Sequence, residues 1–170
     1  MKIIRLLSIL SVSFAVAQTA CAQSTVAKAD ADRLIAVARA NMAEVTAGKI
    51  ALDKASSSEV KSFAQMMIDD HGKGLDETTK IAAAKNITLP SEPDAAHKKM
   101  AADLQKLSGA AFDKAYAKTA GVLDHTKVHA ALKNDIANAK DPEIKALVTK
   151  LEPIVAQHLE MAKKLDASIK

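Results

Sequence analysis

The sequence predicts an all-α protein built as a four-helix bundle. Alanine supplies 35 of the 170 residues and only four prolines interrupt them, a composition that favours helix and leaves little material for strands. Apolar residues return at steps of three and four, the period of a buried helical face. Caps and breakers then divide the chain beyond residue 27 into four long segments and one short one.

The first predicted helix covers 28–54 and carries Leu34, Val37, Ala38, Asn41, Glu44, Val45, Gly48 and Leu52 along one side. Ser56-Ser57-Ser58-Glu59 reads as a capping box, with Ser56 as the cap and Glu59 reaching back. The second helix follows over 57–85, with an inner stripe of Val60, Phe63, Ala64, Met67, His71, Leu75 and Thr78. Asn86, Pro90 and Pro93 end it, since proline cannot continue the hydrogen-bond ladder. Ser91 is expected to cap a short helix over 92–107. The third long helix is placed at 109–139, after Ser108-Gly109. Asp141-Pro142-Glu143 opens the fourth, which runs to about Ser168 with Pro153 as an expected kink.

Both hairpin joints are short, but the connection from Asn86 to Ser108 is long enough to travel the length of the bundle. One such crossover in the middle is the ferritin-like arrangement; a plain up-down-up-down bundle with a short helix on top is the competitor.

The first 22 residues have the three parts of a secretory signal: Lys2 and Arg5, an apolar run over 6–17, and the small-x-small triplet Ala20-Cys21-Ala22. Export to the periplasm, cleavage after Ala22 and a single helical domain over 23–170 are expected. The apolar run falls short of the roughly 20 residues of a membrane span, so no transmembrane helix is expected in the mature chain. Cys21, the only cysteine, offers a rival reading as a lipoprotein anchor, although Gln18 stands where such signals usually carry leucine. On the first reading the mature protein has no thiol and no disulfide. The signal holds two basic residues, so its removal lowers the formal charge of +4 by two. Lysines alternate with acids, and the aromatic residues beyond the signal are Phe63, Phe112 and Tyr116. That gives neither the basic face nor the stacking platform of a nucleic-acid binder.

Glu44, His71, His125 and His158 fall on the inner faces of the four long helices, each within about one turn of its helix midpoint. They are therefore expected to meet in one central layer. Three imidazoles and a carboxylate suit one zinc, iron, manganese or copper ion; a metal-free buried polar network is the alternative. Asp70 and Asp124, each preceding a histidine, are expected to point about 100° aside. His129, four residues after His125, makes a weaker pair with it, and His97 in the crossover is expected to face solvent. Met42, Met66, Met67, Met100 and Met161 read as core filler or surface residues.

The segments VKSFAQMMIDDH, KNITLP, LQKLSGAAFDKAYA and LEPIVAQHL, in this order, resemble the bacterial exported, ferritin-like family called domain of unknown function 4142. The resemblance implies a ferritin-like bundle, with the family's histidines at His71, His125 and His158 and its first-helix glutamate at Glu44. Leu75 departs from the polar residue expected there. Di-iron bundles place a glutamate three residues before the histidine on two helices; here Ile68 and Val155 occupy those positions, which disfavours ferroxidase chemistry. The expected function is mononuclear transition-metal binding, the alternative a non-enzymatic envelope module that binds a protein or small ligand. No nucleophile–base pair, phosphate loop or cofactor fingerprint points to an enzyme.

Overall fold

The computed structural model describes residues 26–169, and the expected secretory signal lies outside them. Helices α1 (Lys28–Lys54) and α2 (Ser58–Ala84) are joined by three residues, and α3 (Ala95–Gln105) is the short helix. Helices α4 (Gly109–Tyr116) and α5 (His125–Asn138) are joined end to end by a π-helical segment, Ala117–Asp124, into one rod. Helix α6 (Pro142–Ser168) completes the bundle and continues through Pro153. At 1.5 Å per residue each 27-residue helix is about 40 Å long.

Two carboxylates fix the topology. Asp113, in the first turns of α4, accepts hydrogen bonds from the backbone N–H groups of Ser56 and Ser57 and from the Ser56 hydroxyl. The α4 start is thereby tied to the α1–α2 joint. At the other end Asp30 of α1 accepts from the N–H groups of Lys140 and Asp141 in the α5–α6 joint, and Lys85 beyond α2 pairs with Asp141 and Glu143. The rod from Gly109 to Asn138 therefore runs parallel to α2, and the connection holding α3 returns along the full length of the bundle. This is the single long crossover, and the simple up-down-up-down path is excluded.

Local details differ from expectation by one to three residues. Ser57, not Ser56, caps α2, accepting from the N–H groups of Glu59 and Val60, because Ser56 is held by Asp113. Asp94, not Ser91, caps α3. On α2 the buried position is Gly74 and Leu75 is only half-buried, while on α1 Val45 and Leu52 are half-buried and Ala43, Ala47 and Ala51 fill the interior. Small residues let α1 and α2 approach closely: a Cβ on Gly48 would lie 2.9 Å from the Ala64 carbonyl oxygen.

The interior has three parts. Val60, Phe63, Met67, Phe112, Tyr116 and Leu165 belong to an apolar cluster at the α1–α2 joint end. Leu34, Leu132, Ile144, Val148, Leu151 and Val155 belong to a second cluster at the opposite end. Between these clusters each of the four rods contributes buried polar residues: Asn41 and Glu44, His71, Asp124 and His125, and His158.

Candidate metal centre

The three histidines of the middle layer face one another. Ring centroids are 5.3 Å apart for His71 and His158, 5.5 Å for His71 and His125, and 5.6 Å for His125 and His158. One nitrogen from each ring lies within 4.8 Å of the others, and no ring is more than 6 % exposed.

Hydrogen bonding fixes which nitrogen of each ring carries the proton. Asn41 Nδ2 donates to the Val37 carbonyl, so its oxygen faces His71, whose Nδ1–H donates to Asn41 Oδ1 at 2.9 Å. His125 Nδ1–H donates to the Ala120 carbonyl at 2.9 Å. His158 Nε2–H donates to the Asp70 carboxylate at 3.2 Å. All three partner atoms are acceptors only, so the opposite nitrogens carry bare lone pairs. Those nitrogens, His71 Nε2, His125 Nε2 and His158 Nδ1, are buried and have no hydrogen-bond partner. An unmet buried polar atom costs about 1–3 kcal/mol, and here three imidazoles of one layer each carry one, as do both carboxyl oxygens of Glu44 beside them.

The π-helical segment gives His125 this geometry. Buried residues in the third rod repeat at steps of four, Phe112, Tyr116, Ala120 and Asp124 alongside Asp113, Ala117, Gly121 and His125. Each four-residue step overshoots an α-helical turn by about 40°, so a regular helix could not keep both rows inside. The wider π turns absorb the excess and leave the Ala120 carbonyl to accept the His125 ring N–H. Gly121 permits the fit against α6, since a Cβ there would lie 3.0 Å from the Ala162 Cβ.

Glu44 stands in the layer but outside the nitrogen cluster. Its Oε1 is 3.6 Å from His125 Nδ1, the nitrogen turned away from the other rings. Burial, then the charge of Asp124, raises Glu44 well above the usual carboxylate range, and neither of its oxygens has a hydrogen-bond partner. Burial alone would raise Asp124 too, but the hydrogen bond and charge of His97 hold it low. Asp124 is thus turned inward. His97, expected in solvent, is largely covered and bridges Asp94 (2.8 Å) to Asp124 (3.1 Å), which pins α3 to the bundle. Asp70 does stand aside from the ring cluster, but its carboxylate orients His158. His129 pairs with Glu152 at 2.7 Å and is not in the cluster. The buried Tyr116 hydroxyl has no partner, and its ring meets Phe63 edge-on at 6.2 Å.

Gly74 lies under this hydrogen-bond network. A Cβ there would fall 2.8 Å from Asn41 Oδ1, the atom that holds His71, whereas a Cβ on Gly72 would meet nothing within 4 Å. Gly72→Ala should therefore raise stability by about 1 kcal/mol through helix propensity alone. Gly74→Ala gains the same propensity but displaces Asn41, and should weaken metal binding by about tenfold or more. Parallel thermal melts and metal titrations of the two variants check this contrast.

Burial lowers all three imidazoles; for His71 the neighbouring His125 and His158 add to it, while Asp70 partly opposes it at His158. A histidine with a depressed folded value contributes stability above about pH 6.5 that is lost as pH falls through that range, because the unfolded chain takes the proton first. His97, raised by its bond to Asp124, acts in the opposite sense, and so does Glu44. Three imidazoles outnumber these two groups just below pH 6.5. The metal-free protein should lose stability on acidification there, by up to about 1.4 kcal/mol per pH unit for each excess proton. Urea titrations at pH 7.5, 6.5 and 5.5 measure the slope.

A long-crossover helical bundle with three converging buried imidazoles defines the class: an all-α protein whose central polar layer can hold a metal ion. Residues 15–165 match the family described as Domain of unknown function (DUF4142), and the chain belongs to that family. No curated protein and no solved structure matches it.

Proposed function

We infer that the protein binds one transition-metal ion through His71, His125 and His158. The observation that carries this reading is the set of three buried ring nitrogens without partners, each on a ring whose other nitrogen is held by an acceptor. Such outer partners fix the tautomer and orientation that a metal-ligating imidazole needs. Burial keeps the rings neutral, the form that binds metal. A metal-free polar network, by contrast, would require those lone pairs to be met by donors. Imidazole ligands without thiolate suit zinc and copper ahead of manganese, which prefers oxygen ligands. Three protein ligands leave a fourth position open, the pattern of reactive rather than purely structural zinc sites.

The same reading takes the bundle as ferritin-like, supported by its single long crossover, and the protein as exported to the periplasm, supported by the sequence of residues 1–22. Without a carboxylate to bridge two ions, storage and di-iron chemistry are not part of the proposal. Titration of metal-free protein with zinc, copper, iron and manganese salts tests it. About one tightly bound equivalent of at least one metal is expected; protein that refuses all four overturns the reading.

A further inference from the structure

Helix α3 is held to the bundle at two separate points. Near its end Leu104 is its one buried residue, with Met100 half-buried against the apolar cluster a turn earlier. Its first turn buries no apolar side chain and is tied down by His97, whose ring nitrogens bond to Asp94 at 2.8 Å and to Asp124 at 3.1 Å. Grooves flank this tie on both sides. One, of about 470 Å³, lies between α3 and the π-helical segment over Met100, Leu107 and Leu123. The other, of about 260 Å³, lies between α1 and α5 over Val37, Ala40 and Leu132. His97 and Asp124 line both, so the tie is the partition between them. Behind Asp124 stands Glu44, in the polar layer.

The geometry of the tie requires a proton. Both partners of the ring are carboxylates, which accept and do not donate when ionised. Meeting both at once takes an N–H at each ring nitrogen, which is the charged imidazolium. A neutral ring has one N–H, can meet one carboxylate, and loses the ion-pair attraction to both. The other charged groups lining the two grooves are Arg39 of α1, Lys127 and Asp135 of α5, and Lys99 and Asp103 of α3. Asp135 is engaged by Arg33, and Asp103 by Lys99 and Lys106. His97 is the one imidazole among them, the side chain whose charge changes near neutral pH. We propose that α3 is a pH-controlled strap: protonated His97 locks its first turn over Asp124, and loss of that proton loosens the turn, joins the two grooves and opens the Asp124 side of the polar layer to solvent. The bond to Asp124 outweighs burial and raises His97 above its ordinary value. The lock is therefore complete below about pH 6.5 and is lost as pH rises through the raised value. The strap works with or without a metal ion in the layer.

Amide hydrogen exchange of the full metal-free chain at pH 6.0 and 8.5, corrected for the intrinsic pH dependence of exchange, tests it. Protection over residues 96–101 should fall at the higher pH by about fivefold, the difference between a hydrogen bond to a charged group and a neutral one, while α6 keeps its protection. The fall should follow the titration of the His97 ring read by NMR, with a midpoint above about 6.5. His97→Gln keeps an N–H donor but carries no charge, so protection of its first α3 turn should be low at both pH values. His129→Ala removes a ring that pairs with Glu152 instead, and should keep the full response. Equal α3 protection at both pH values in the parent, an undiminished pH response in His97→Gln, or a His97 midpoint below about 6.5 overturns the strap.

Discussion

Combining His71→Ala with His158→Ala should abolish the proposed metal binding while leaving a folded helical bundle. Two of the three converging nitrogens disappear, and a single imidazole, His125, cannot hold an ion against water. The outer partners Asn41 and Asp70 lose the rings they orient. Folding should survive because the two apolar clusters lie on either side of the layer and do not depend on it. The substitutions also remove two buried lone pairs, each of which costs about 1–3 kcal/mol when unmet. That gain offsets part of the cavity penalty and of the bond lost at buried Asn41, so the metal-free variant should be folded but less stable than the metal-free parent. Metal should add to the parent's stability by mass action and add nothing to the variant's. Thermal melts with and without one equivalent of zinc or copper, alongside metal analysis, measure both effects. The His129→Ala protein is the control: its ring pairs with Glu152 away from the cluster, and its loss should leave stoichiometry at one.

Phe112→Ala should be the most destabilising single change. Phe112 is fully buried and stacks on Tyr116 with ring centroids 5.7 Å apart and planes 14° from parallel. Tyr116 meets Phe63, and Phe63 meets His125, so the ring anchors one wall of the histidine layer. Truncating a buried phenylalanine costs about 3–5 kcal/mol, as transfer energy plus the cavity left behind. For a chain of this size each kcal/mol lowers the melting temperature by about 2–4 °C. The variant should therefore melt about 6–20 °C lower, with its urea midpoint moved and its m-value unchanged. Removal of the exposed Leu123 side chain, 49 % accessible, should move the midpoint by about 0.5 kcal/mol at most.

Much of this architecture is legible in the residues. The α1 boundaries and the Asp141-Pro142 start of α6 follow from composition and cap chemistry, and the length between Asn86 and Ser108 points to the crossover. Helical period and distance from each midpoint are enough to place His71, His125 and His158 in one layer. They are not enough to orient single atoms. Glu44 has the right face and level, yet its carboxyl meets the back of His125 and Asp124 instead of the cluster. The capping serine differs by one position because a distant side chain, Asp113, claims Ser56. His97 is covered and not solvent-facing as expected, because the crossover has no periodicity to show which way a side chain faces. The π-helical segment left one trace, the double row of four-residue steps from Phe112 to His125, which a regular helix cannot keep buried. The role of Gly74 is visible only once Asn41 is seen beneath it.

The most direct test is X-ray absorption at the metal edge of protein loaded with one equivalent of zinc or copper. A zinc spectrum should show three imidazole nitrogens at about 2.0–2.1 Å and one further, exchangeable N or O ligand. An oxygen-dominated shell, or a shell unchanged when His71 and His158 are both replaced by alanine, would contradict a centre built from these three histidines.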